Sequence, residues 1–263
     1  MTSPSIYSEQ SLKDISMCGL NYDLRWSDDL DEKFISDFLL VQNTVFHNGT
    51  RAEFERQFER NIYGWSVLVV VYSDGRPVAA RALWRNDVGG REAYQPGSSC
   101  VIPEYRGRGI FTEMTERAIR LLPEESLIYN FPNDNSYSAY MKMGWHLVRK
   151  YKARPYLSYS AFLIEHPVRI DGQYAQWWLM GKKVYHTCIG GHYFMIKPDR
   201  RPLCYHILAE TERSVAEKFP KRCGLLFYLS SRPAWYDGRL GVTRLVSINQ
   251  GDTRIPTWKI DCI

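Results

Sequence analysis

The most apolar stretch, Val67-Leu68-Val69-Val70-Val71-Tyr72, predicts a buried strand. It is far too short to cross a bilayer, which takes about 20 apolar residues. Ser73-Asp74-Gly75-Arg76 follows as a hairpin turn, and Val78 to Trp84 forms the return strand. Upstream, a strand falls within Met17 to Trp26. The acidic start Asp28-Asp29-Leu30-Asp31-Glu32 then opens a helix with Phe34, Ile35, Phe38, Leu39, Val41 and Val45 on its apolar face, broken by His47-Asn48-Gly49. Thr50-Arg51-Ala52-Glu53 has the form of a capping box, and its helix carries Phe54, Phe58 and Ile62 at four-residue spacing.

A turn around Asp87-Val88-Gly89-Gly90 leads into a strand ending at Val101-Ile102-Pro103. After Gly109 the period becomes helical, with Ile110, Met114, Ala118 and Leu121 on one face, until Pro123. A strand from Leu127 to Phe131, a short helix near Ser136 to Met143 and a strand from His146 to about Arg154 complete this part. The order βααβββαβαβ predicts an α/β (α+β) fold, one mixed sheet flanked by helices, over residues 1–155. Residues 156–263 form a second α/β part. Its strands Gly191 to Lys197, Leu203 to Glu210 and Leu225 to Ser230, with a helix near Thr211 to Phe219, either repeat the first plan in degenerate form or extend it.

Composition narrows the class. With 44% hydrophobic and 24% charged residues the chain can bury a core and is not of the disordered class. The net charge of +5 is spread without a basic block, so an anionic small ligand suits it and a nucleic-acid partner does not. Met1 to Ser5 has no signal-peptide pattern, and no membrane partner is expected. The cysteines Cys18, Cys100, Cys188, Cys204, Cys223 and Cys262 are scattered without metal-ligand spacing, which points to reduced thiols, no metal and a cytoplasmic setting.

The chemistry concentrates in Val101-Ile102-Pro103-Glu104-Tyr105-Arg106-Gly107-Arg108-Gly109-Ile110-Phe111. A strand stops at a proline, two glycines allow a tight turn, and a helix begins. Free backbone N–H groups and the positive helix end then face one concavity, with Arg106 and Arg108 adding charge: a site for phosphate. The segment resembles the phosphate loop of the GNAT (GCN5-related N-acetyltransferase) superfamily, Val-x-Pro-x-Tyr-Arg-Gly-x-Gly-Ile, from Val101 to Ile110. Phe111 stands where that family's signature has a small residue. A second resemblance lies downstream, where Asn133, Ser136, Tyr140, Lys142, Gly144 and Trp145 follow the spacing Asn-x-x-Ala-x-x-x-Tyr-x-Lys-x-Gly-Phe, with Ser for Ala and Trp for Phe. It is similar to a bacterial branch whose members often carry extra carboxy-terminal sequence.

The resemblance implies direct transfer of an acetyl group from acetyl-CoA, as co-substrate, to a small-molecule amine. It implies main-chain contacts to acetyl-CoA at Cys100, Val101 and Ile102, and phosphate contacts at Arg106, Gly107, Arg108, Gly109 and Ile110. Asn133 either bonds the cofactor or caps the following helix. Tyr140 is the implied general acid. A free phenol ionises near pH ~10 and a free thiol near ~8.5, so a held phenol can protonate a departing thiolate. Cys100 reads as an inert buried thiol rather than a nucleophile. Glu92, Tyr94 and His47 are candidates for the general base, as is a water chain.

The carboxy-terminal part is rich in aromatics, among them Trp177, Trp178, Tyr185, Tyr193, Tyr205, Trp235, Tyr236 and Trp258. These serve as core or as platforms for sugar, which makes an amino sugar the first acceptor to consider. A non-catalytic CoA sensor or interaction module, and an aminoacyl transferase taking its donor from charged tRNA, are the competing classes.

Overall fold

The computed structural model describes residues 19–47, 49–166, 169–170, 172–232, 242–249, 255–257 and 259. Met1 to Ser5, Met17, Cys18, Asn48, Trp235, Tyr236, Trp258 and Cys262 lie outside the described residues. The chain forms two compact units. One comprises residues up to Arg60 with Gly64–Arg85 and Tyr94–Ser126; the other comprises Asn61–Tyr63, Asn86–Ala93 and the chain from Leu127 onward.

In the first unit β1 (Leu20–Trp26), β2 (Val67–Ser73), β3 (Arg76–Arg85) and β4 (Ala93–Val101) make an antiparallel sheet in the order β1-β2-β3-β4. All of Val67 to Val71 are buried, as the unbroken apolar run requires of a strand covered on both faces. Helix α1 (Glu32–Phe46) starts at Asp31, whose carboxylate accepts from Phe34 N at 2.7 Å. It turns Phe34, Ile35, Phe38 and Val41 into the core.

Helix α2 (Arg51–Phe54) begins as its capping residues predict, with Thr50 Oγ accepting from Glu53 N. It then widens into one π-turn, Glu55–Glu59, closed by Arg60 N to Glu55 O at 2.8 Å. The expected run to Ile62 therefore stops early. Phe54 and Phe58 both meet Phe38 edge-on, with ring centroids 5.4 and 5.9 Å away. Helix α3 (Ile110–Ile119) packs Met114 and Ala118 inward against β2 and β3.

The second unit holds β5 (Leu127–Asn130), α4 (Asp134–Lys142), β6 (His146–Pro155), α5 (Tyr159–Glu165) and α6 (Gly172–Tyr174, continued by a π-turn Ala175–Leu179). β7 (Tyr185–Ile189), β8 (His192–Pro198), β9 (Cys204–Thr211), α7 (Arg213–Ala216), β10 (Leu225–Ser230) and β11 (Val242–Ser247) follow. The strand order is β5-β11-β6-β10-β9-β8-β7, antiparallel except for the parallel pair β9/β10, so this sheet is mixed. Residue 155 is the end of β6, whose partners on both edges, β10 and β11, come from the carboxy-terminal part.

Two aromatic-rich clusters fill this unit. Tyr129, Phe131, Tyr151 and Leu245 belong to one, and Phe162, Phe194, Tyr205 and Tyr228 to the other. The tail returns to the unit through Lys259, which is buried with its Nζ hydrogen-bonded to Asn86 Oδ1. The same ammonium lies 4.5 Å from the Tyr63 ring and 4.8 Å from the Tyr174 ring.

The β9/β10 pairing makes a specific demand at Gly224. A Cβ there would lie 2.2 Å from the Leu203 carbonyl oxygen, and that oxygen accepts the Leu225 N–H. Gly224→Ala is expected to destabilise the protein by about 1–3 kcal/mol, the usual cost of overpacking against atoms that cannot turn aside. Thermal or urea unfolding measures this, and an unchanged midpoint would contradict the close approach.

Candidate functional site

The site residues in the first unit sit on β4 and the loop that follows it. Arg81 on β3 faces two residues of β4, Ser98 and Ser99, because Ala80 pairs with Cys100 but Ala82 with Gly97. This is a β-bulge, with Ser98 held at φ 49°. The bulged carbonyl of Ser98 accepts from Gln42 Nε2 of α1 at 2.5 Å. Ser99 Oγ accepts from Arg81 Nη1 at 2.9 Å and donates to Gly97 O. Past the bulge, Cys100 and Val101 pair with β3 again, and Ile102 N donates to Val78 O. The displaced backbone thus has partners from a helix and from the neighbouring strand.

The loop keeps the conformation its glycines permit. Gly107 and Gly109 both lie at φ 77°, a left-handed region costly to residues with a Cβ, and a Cβ at either would meet nothing within 4 Å. Open space over both glycines leaves room for a ligand to approach the backbone. Gly109 is the N-cap of α3, with no side chain bonded to the helix end. The first intrahelical bond of this turn is Glu113 N to Gly109 O, so the N–H groups of Ile110, Phe111 and Thr112 precede the ladder, as at any helix start. Together with the helix dipole they form a fit for a phosphate oxygen.

Arg106 and Arg108 do more than carry charge. Arg106 Nε donates to Val101 O at 3.0 Å, and Arg108 Nη2 donates to Glu104 O at 3.1 Å. The Arg108 guanidinium also lies 4.7 Å from the Tyr105 ring centroid. Both side chains fold back and stiffen the turn. Phe111, the departure from the small-residue pattern, has its ring 4.5 Å from the guanidinium of fully buried Arg81. Its bulk covers a buried cation.

Cys100 is buried, and loss of water around it pushes its pKa up to about 12. A thiol in that state supplies almost no thiolate near neutral pH, which leaves Cys100 inert as a nucleophile. Among the base candidates, exposed His47 is the C-cap of α1 at φ 58°, with its N–H bonded to Asn43 O. Tyr94 is buried with its ring edge-on to Trp26.

The second unit carries Glu92, Asn133 and Tyr140. Glu92 lies just before β4, and its carbonyl accepts from Leu127 N. Asn133 is the N-cap of α4, its Oδ1 accepting from Ser136 N at 3.0 Å. Tyr140 is 2% exposed, its ring edge-on to Trp145 at 4.7 Å between centroids. Its hydroxyl accepts from Asn130 Nδ2 at 2.7 Å. Arg244 of β11 grips the same helix, bonding Asp134 at 2.5 Å and lying over the Tyr137 ring.

Sequence reasoning passed over Gln42, Arg81 and Asn130. Two of them had a signal, since Gln42 interrupts the apolar face of a helix and Arg81 is a lone charge inside an apolar strand.

The site thus consists of a glycine turn between a bulged strand and an uncapped helix start, beside a four-stranded antiparallel sheet. A family model described as an acetyltransferase (GNAT) domain matches residues 28–148 of the chain. GNAT enzymes draw on acetyl-CoA. A search among curated proteins finds no match.

Among solved structures, the chain resembles a GCN5-related N-acetyltransferase from Anabaena variabilis, with 11% identity over 86% of this chain and 73% of that one, at a TM-score of 0.53. A conserved protein of unknown function from Enterococcus faecalis is similar at 12% identity, 92% and 74% coverage and a TM-score of 0.53. A Pyrococcus horikoshii protein, provisionally described as an acetyltransferase, matches 98% of this chain and 95% of its own at 12% identity and a TM-score of 0.50. At these identities the likeness is one of fold. No helix among the described residues is long and apolar enough to cross a membrane.

The state of Cys100 is open to direct measurement. Iodoacetamide at pH 8 is expected to label exposed Cys223 in the native protein and to spare Cys100 until denaturant is added. Peptide mass spectrometry reads the difference, and prompt labelling of native Cys100 would restore it as a candidate nucleophile.

Proposed function

We propose that this protein moves an acetyl group from acetyl-CoA directly to the primary amine of a small acceptor. The observation that carries this reading is the loop in which Gly107 and Gly109, both at φ 77°, open onto the uncapped start of α3. Backbone N–H groups of Gly107 to Ile110 hold the pyrophosphate, with Arg106 and Arg108 supplying neutralising charge. Main-chain groups of Cys100, Val101 and Ile102 orient the pantetheine and the acetyl carbonyl. Acetyl-CoA, when bound, supplies the thioester. Tyr140 protonates the departing thiolate, and Asn133 caps the helix that presents Tyr140. Direct transfer accords with an inert Cys100.

The amine is of small-molecule type. Trp178 and Tyr205 are buried, and Trp177 packs on Tyr63 and Tyr174, so these aromatics serve as core rather than as a sugar platform. A cytoplasmic setting suits the free thiols Cys100, Cys188, Cys204 and Cys223.

The carboxy-terminal part is a degenerate copy of the first plan. In support, β7, β8 and β9 form an antiparallel meander followed by a helix and a strand, as β2, β3 and β4 are followed by α3 and β5. The junction of β9 and α7 reads Glu210-Thr211-Glu212, with acids where the first copy has glycine and arginine. Its helix has only four residues. That junction lacks the glycine turn of the first copy, and the copy serves packing.

Gly109→Ala tests the loop. Its Cβ meets no atom, so the fold bears only the left-handed strain of about 1–2 kcal/mol, while the methyl intrudes where phosphate lies. The affinity for acetyl-CoA by calorimetry is expected to fall about tenfold or more, a loss of about 1.4 kcal/mol. Unchanged affinity would remove the loop from the cofactor site. Tyr140→Phe is expected to lower turnover across an amine panel by roughly 10²-fold or more, the usual contribution of a general acid, with acetyl-CoA still bound. Binding without acetylation of any amine by the unaltered protein would favour a sensor instead.

A further inference from the structure

Asn130, the last residue of β5, is buried and both ends of its side-chain amide are engaged. Its Oδ1 accepts from the N–H of Phe131 at 2.8 Å. Its Nδ2 donates to the hydroxyl oxygen of Tyr140 at 2.7 Å. The first bond decides the second. A backbone N–H can only donate, so the amide oxygen must face Phe131 and the amide nitrogen must face the phenol. Tyr140 is therefore the acceptor in this pair.

A phenol has one proton, and a proton cannot point along a line already occupied by an incoming N–H. The amide thus turns the Tyr140 O–H away from Asn130. Once the proton has gone, the same N–H becomes a charge-assisted bond to the phenolate, stronger than the bond to the neutral phenol. Trp145 against the ring and burial of both residues hold this geometry.

We propose that Asn130 is a positioning residue for acyl transfer, holding Tyr140 with its proton directed to the departing thiolate and supporting the phenolate that remains. The inference rests on Tyr140 as general acid. In the step it serves, the acyl carbon bonds to the acceptor as its bond to sulfur breaks. The thiolate takes the phenol proton, the acceptor releases one proton to solvent, and solvent returns a proton to the phenolate.

Asn130→Asp tests this with little change of shape. The carboxylate still accepts from Phe131 N but cannot donate to the phenol, and it draws the phenol proton toward itself. Asn130→Ala removes both bonds and serves as the second variant. The probe is acetyl-CoA with water as acyl acceptor, followed by free thiol release, so that no amine need be identified. Melting curves establish that each variant is folded.

Both substitutions are expected to lower the limiting rate on the order of 10- to 100-fold, the span of a hydrogen bond to a charged group. KM for acetyl-CoA stays unchanged. In a Tyr140→Phe background neither substitution lowers the rate further, because the group they act through is gone. Equal losses in both backgrounds, or full activity in folded Asn130→Asp, would overturn the positioning role and leave Tyr140 as the acid. Full activity in Tyr140→Phe alone would overturn both.

Discussion

The backbone of β4 must leave its ladder at Ser98 and Ser99 without stranding a buried polar group, and the first unit is arranged around that requirement. Gln42 reaches from α1 to the Ser98 carbonyl, and Arg81 holds Ser99. Arg81 is a fully buried cation, and the Phe111 ring covers its guanidinium. Phe111 belongs to the first turn of α3, so the bulge, the strand beside it and the start of the phosphate-loop helix form one connected contact. A residue that departs from the GNAT loop pattern is thus explained by the buried charge it covers.

Rigidity recurs wherever chemistry is expected. Arg106 and Arg108 bond carbonyls of their own loop, the two left-handed glycines set its path, and an amide with a single permitted orientation holds Tyr140. Groups held in place beforehand need no reorganisation when charge develops, which is where enzymes gain most. His47 and Tyr94, by contrast, are engaged as a helix cap and a core ring.

Much of the fold was legible in the chain. The order βααβββαβαβ is the order found, and Asp31, Thr50 and Asn133 cap helices as their side chains allow. These features are local, decided within a few residues by periodicity and hydrogen-bonding capacity. The π-turn at Glu55 was not legible, because Phe54 before it and Phe58 within it pack on Phe38, 16 positions before Phe54, a contact that no local period announces. The strands β7 and β11 and the helices α5 and α6 also carried too little periodic signal to stand out from loop.

The sequence alone determined the path of the loop. Glycines at 107 and 109, between a proline-ended strand and a helix, can take few other paths, because only glycine enters the left-handed region freely. Tertiary structure decided which polar side chains serve the β4 bulge and Tyr140. Gln42 lies 56 residues from Ser98, Arg81 lies 18 from Ser99, and Asn130 lies 10 from Tyr140. No local spacing rule joins such pairs. They meet because a half-buried carbonyl, a buried cation and a buried phenol each need a partner, and the packed sheet brings one within reach.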